Sequence, residues 1–143
     1  MKGVEVCVFS VDDAYAAEAA GCARLELCTD YSLGGITPPI EDLQRLSPAN
    51  SADDVRRGLR VSAVVMVRQR GGDFLYSKRE KKWMLNTIKS VAKLGFQGVV
   101  FGALLKKNGQ WQLDREFCMQ ACEQAHSLGL EAVLHRAFDE IST

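Results

Sequence analysis

The sequence predicts an α/β fold with a parallel sheet of the TIM-barrel type, incomplete, holding about five strands and four helices of the eight-fold barrel. Three observations carry this. Short β-rich runs alternate with helical stretches, which is the signature of βαβ units. Polar residues recur just past the strand ends, at Ser10, Cys28 to Asp30, Arg68 to Asp73 and His135 to Asp139, as they do on a barrel's catalytic face. No G-x-G-x-x-G follows the first strand, which disfavours an open dinucleotide-binding sheet.

In chain order, "VEVCVFS" (4–10) reads as the first strand and "VDDAYAAEAAG" (11–21) as the first helix, stopped by Gly21. "RLELC" (24–28) is the second strand. Pro38 and Pro39 then open a helix over 39–47. The polar, turn-rich stretch 47–58 lengthens the connection to a third strand, "RVSAVVMV" (60–67). A long helix over 77–95 begins at Ser77, with Glu80 at capping-box spacing, and stops at Gly95. "GVVFG" (98–102) is the fourth strand, 114–129 a helix ending at Gly129, and "EAVLH" (131–135) the fifth strand. The chain of 143 residues is read as one domain, the front of a barrel without its remaining strands.

Bulk composition excludes several function classes. Lys plus Arg equals Asp plus Glu at 18 each, so net charge favours neither nucleic acid nor an anionic membrane. The lysine-rich helix has an apolar face at Trp83, Met84, Ile88, Val91 and Ala92, so its lysines form a solvated outer face. No apolar run approaches the roughly 20 residues needed to span a bilayer. Asp12 and Asp13 interrupt the N-terminal apolar run too early for a signal peptide. Five cysteines, an odd count in a chain without a leader, point to reduced thiols and a cytoplasmic protein.

Strand alternation sorts the side chains into two sets. Val4, Val6, Val8, Leu25, Leu27, Ala63, Val65 and Val67 face the helices, leaving Glu5, Cys7, Glu26, Cys28, Met66 and Arg68 toward the axis. Cys7, Cys28 and Met66 would converge near three carboxyl ends, and soft sulfur ligands of this kind favour Cu(I). Free cysteine and methionine also fill cores, and spacing leaves both readings open. Cys118 and Cys122, four apart on one helix face, are expected to pack against the sheet.

A second constellation suits a small anionic molecule. Arg68, Arg70 and Arg136 offer guanidinium forks for carboxylate or phosphate. Gly34–Gly35 and Gly71–Gly72 would let backbone N–H groups approach it. His135 would exchange a proton near neutral pH, with Glu26 as its partner acid or base. The competing reading is that these charges pair with one another at the barrel mouth.

With these residues in view, the sequence resembles the CutC family of copper homeostasis proteins. The matching stretches are "EVCVFS" (5–10), "RLELC" (24–28), "GGITP" (34–38), "VMVRQRGGDFLYS" (65–77), "GVVFGAL" (98–104) and "HRAFD" (135–139). The resemblance implies a (β/α)8 barrel and copper binding by two cysteines on the first two strands, positions matched by Cys7 and Cys28. It departs from the family pattern at Gln69, where a proline is usual, and at Phe9 and Ala23, where aspartates are usual. The expected functions are therefore copper binding or, alternatively, barrel chemistry on a small anion. An inactive fragment is the third. An unclosed sheet also leaves two edges that a second copy could cover.

Overall fold

The computed structural model describes residues 2–53 and 57–143. Strands β1 (Glu5–Val8), β2 (Arg24–Leu27), β3 (Ser62–Met66), β4 (Gly98–Phe101) and β7 (Glu131–Leu134) form one sheet in the order β1-β2-β3-β4-β7. Every pairing in it is parallel. Helices α1 (Val11–Ala19), α2 (Ile40–Leu46), α3 (Lys78–Lys93) and α4 (Arg115–Ser127) fill the connections. The five expected sheet strands and four helices are all present, with helix ends trimmed to their caps. Part of the expected connection at 47–58 lies outside the described residues.

Local chemistry explains the boundaries. Ser10 caps α1 by accepting from the Asp13 N–H. Ser77 and Glu80 form the reciprocal capping box that starts α3, and Asp114 caps α4 through the Phe117 N–H. The α3 stripe Met84, Ile88 and Val91 is buried, while Lys78, Lys82, Lys89 and Lys93 are exposed.

One element differs from expectation. Between β4 and α4 the chain forms an antiparallel hairpin of β5 (Leu104–Lys107) and β6 (Gln110–Leu113). Asn108 and Gly109 make the two-residue loop with φ of 50° and 76°. Two consecutive left-handed residues match the twist of a tight hairpin, which is why Asn-Gly is favoured there.

The sheet separates two apolar regions. Val8, Leu25, Leu27, Ala63, Val65, Val67 and Val99 join α1–α4 in the main core. Cys28, Val64, Met66 and Val100 form a second cluster on the opposite face, with Phe9 and Val133 against it. The predicted parity thus holds from Val6 onward, whereas Val4 is 68% exposed and outside the core. Arg24 closes the amino-terminal side of the concave face, donating to Glu5 at 2.6 Å and to Glu131 on β7 at 3.1 Å. No helix among the described residues is long and apolar enough to cross a membrane.

Candidate metal and anion site

The carboxyl ends of β1, β2, β3 and β7 surround an open cavity of about 330 Å³. Glu5, Cys7, Glu26 and Cys28 line one wall, with Met66 beside them, and Arg68, His135 and Arg136 line the other.

Backbone register builds the sulfur wall. Cys7 stands opposite Glu26 in the β1–β2 ladder, and the Cys28 N–H extends that ladder by donating to Val8. The Cys7 and Cys28 sulfurs come within 3.6 Å, and a Glu26 oxygen joins them with all three ligand atoms inside 4.8 Å of one another. The hydrogen bond with Cys7, then burial, pushes the Cys28 thiol well above its ordinary range. Burial raises the Glu26 carboxyl, reinforced by the Glu5 charge and opposed by its hydrogen bond with Cys7 and by Arg24. Sequence reasoning grouped Met66 with the thiols. It lines the same cavity, but Glu26 is the group the register places at the sulfurs.

The basic wall is built from loops. Thr29 and Ile36 bridge to each other and fold the intervening loop over the sheet, and Thr37 N–H donates to the Arg68 carbonyl. The Arg68 guanidinium then donates to the carbonyls of Leu33 at 2.9 Å, Gly35 at 3.3 Å and Gly72 at 2.9 Å. It lies over the Phe74 ring, 4.8 Å from the centroid, and is only 2% exposed. The expected amide cradle is corrected here. The Gly34 and Gly35 N–H groups turn back onto Tyr31 and Asp30, Gly71 packs on Leu33, and Gly71 and Gly72 present carbonyls to Arg70 and Arg68.

Arg70 is also corrected: it does not line the cavity. Its guanidinium reaches Glu80 at 2.6 Å, Asp73 at 3.2 Å and the Leu75 carbonyl at 2.8 Å, so its charge is already neutralised outside. The same contact holds the Glu80 carboxyl below its usual range.

His135 lines the cavity but cannot exchange a proton near neutral pH. Burial, followed by the charges of Arg68 and Arg136, pushes its pKa down to about 4. Nδ1 accepts from the Ala137 N–H at 3.1 Å, which leaves the proton on Nε2. The groups acting on Glu26 are Cys7, Glu5 and Arg24, so the expected Glu26–His135 pair is not formed. The other cysteines stay out of the site: Cys118 is buried in the main core, with Cys22 and Cys122 packed at its edge.

Residues 2–143 match the model of the CutC family. The human copper homeostasis protein cutC homolog is 40% identical over 138 residues, covering 96% of this chain and 45% of that protein. A CutC family protein of Pasteurella multocida is 38% identical over 136 residues, covering 95% of this chain and 50% of that protein. The solved structure of a proposed copper homeostasis protein CutC from Streptococcus agalactiae superposes with a TM-score of 0.77 at 30% identity, covering 96% of this chain and 60% of that one. The chain spans about half the length of the curated relatives it matches. Its five-stranded parallel sheet is accordingly a partial barrel of the TIM type, and the chain belongs to the CutC family.

Proposed function

We propose that the chain binds copper as Cu(I) through Cys7 and Cys28. The observation that carries this reading is the pair of sulfurs 3.6 Å apart at the rim of an open cavity. Metal–thiolate bonds of about 2.3 Å let two sulfurs reach one ion from any separation up to about 4.6 Å, so no strand need move. Thiolates are soft ligands and select Cu(I) over hard cations. Glu26 stands ready as a neighbouring carboxylate, and Met66 supplies a buried thioether on the same wall. All five cysteines are free, which suits a reducing, cytoplasmic setting.

Barrel chemistry driven by Glu26 and His135 is the weaker reading. At neutral pH the imidazole already holds its single proton, and no contact links it to Glu26.

Titration of the reduced chain with Cu(I) against a competing chelator tests the copper reading. Cys7→Ser/Cys28→Ser is expected to weaken binding by more than about 100-fold, the upper range for losing even an indirect ligand contact. Equal affinity in the double variant would place the ion elsewhere. Each thiol must shed a proton to bind, so affinity should also rise with pH.

A further inference from the structure

Arg68 is the most deeply buried charged residue among those described, yet it makes no ion pair with any of them. Its three carbonyl partners satisfy N–H groups without cancelling the charge. Leaving a buried charge without a counterion is costly.

A second guanidinium converges on the same place. Arg136 is exposed, makes no ion pair among the described residues, and lies 5.9 Å from the centroid of the Phe74 ring that Arg68 covers. A side chain added at Gly34 would strike Arg136 and come within 3.3 Å of Arg68, so both cations border that one glycine. Two like charges drawn together in this way repel unless something negative sits between them. The cavity's own carboxyls are engaged elsewhere, Glu5 with Arg24 and Glu26 with Cys7.

Two of the unpaired polar groups, on Arg68 and His135, belong to residues that line this cavity, and the third, on Tyr76, lies beside Arg68. The described side chains contain three buried polar atoms without a partner: Arg68 Nε, the Tyr76 hydroxyl and His135 Nε2. Burial raises the Tyr76 phenol and the adjacent Arg68 opposes it, while the same charge helps keep His135 neutral. The orphaned groups therefore all belong to Arg68 or to side chains that feel its charge. Native structures rarely leave such groups idle without a ligand or water to meet them.

We propose that Arg68 and Arg136 form a binding subsite for a small oxyanion, a phosphate or carboxylate, on the wall of the cavity facing the thiol pair. Among the described residues, one Arg68 Nη2 hydrogen and the whole Arg136 fork are left without an acceptor. Gly34 borders the two arginines, while the next residue, Gly35, lies with its Cβ position 3.5 Å from the Cys28 sulfur. One small ligand can therefore touch both walls. The subsite does not depend on the copper reading.

The test is a titration of the 15N-labelled 143-residue chain, first with inorganic phosphate and then with malonate, followed by NMR. The Gly34 and Gly35 amides and the Arg68 Nε–H should shift saturably with at least one of them, and the better ligand identifies the oxyanion. Arg136→Gln should weaken that binding about tenfold, the loss of one charge-assisted contact. Arg136 is exposed, so this variant keeps the test decisive even if Arg68→Gln does not fold. Arg70→Gln, whose guanidinium is paired with Glu80 and Asp73 outside the cavity, should bind the anion normally, and running the titration without copper separates this subsite from the copper site. Absence of saturable shifts with both anions, or unchanged affinity in Arg136→Gln, would overturn the proposal.

Discussion

The two walls of the cavity are made in different ways. The sulfur wall comes from ladder register: β1 and β2 run parallel, and their alternation brings Cys7, Glu26 and Cys28 together without any loop. Negative charge is disfavoured there: the Cys7 hydrogen bond and burial raise the pKa of the Cys28 thiol, and burial that of the Glu26 carboxyl, above their ordinary ranges. The basic wall comes from loops clamped by one side chain, and it carries charge permanently. The thiols of one wall gain negative charge when a cation displaces their protons. The other is cationic before any ligand arrives. Substitution of the buried Arg68 should therefore cost mainly stability, and substitution of the thiols mainly copper affinity.

The largest stability effect should come from Arg68→Gln. It leaves the carbonyls of Leu33, Gly35 and Gly72 without donors, and about 3 kcal/mol of destabilisation in urea unfolding is expected from buried groups left unpaired. A near-neutral result would mean that the loops hold themselves and that the two walls do not differ in this respect.

Acidification should sharpen the contrast next. His135 titrates at about 4 in the folded chain and near 6.5 when unfolded. Between those values the unfolded state takes up a proton that the folded state refuses, so stability is lost as pH falls from 6.5 toward 4. The slope is up to about 1.4 kcal/mol per pH unit. Glu26 works in the opposite direction, because its raised pKa lets the folded state bind a proton first. The difference between the parent and His135→Phe across this window isolates the imidazole, and identical profiles would place it in solvent.

The smallest effect belongs to Arg70→Gln, within about 1 kcal/mol, because its partly exposed ion pairs with Glu80 and Asp73 sit outside the cavity. A loss as large as that of Arg68→Gln would erase the distinction between the two arginines.

That distinction was not legible in the sequence. Arg68 and Arg70 follow the same strand two residues apart, and alternation alone assigns them one face. The strand ends at Met66, however, and Glu80 of the capping box draws Arg70 outward, a contact set by where α3 returns to the sheet. The sulfur wall was more legible, since parity selected Cys7, Glu26, Cys28 and Met66. Only the β1–β2 register shows that Glu26 meets the sulfurs. The lowered pKa of His135 depends on burial and on Arg68, brought in from beyond β3, which local pattern does not encode; only Arg136 is its sequence neighbour. The hairpin, by contrast, had a plain local signal: "NG" at 108–109 lies between "LLKK" and "QWQL". The βα period overshadowed it.

X-ray absorption at the copper edge of the Cu(I)-loaded chain tests the central claim most directly. The account predicts two sulfur ligands in the parent and their loss in Cys7→Ser/Cys28→Ser. A first shell of only nitrogen and oxygen in the parent, or a sulfur shell unchanged in the double variant, would contradict it.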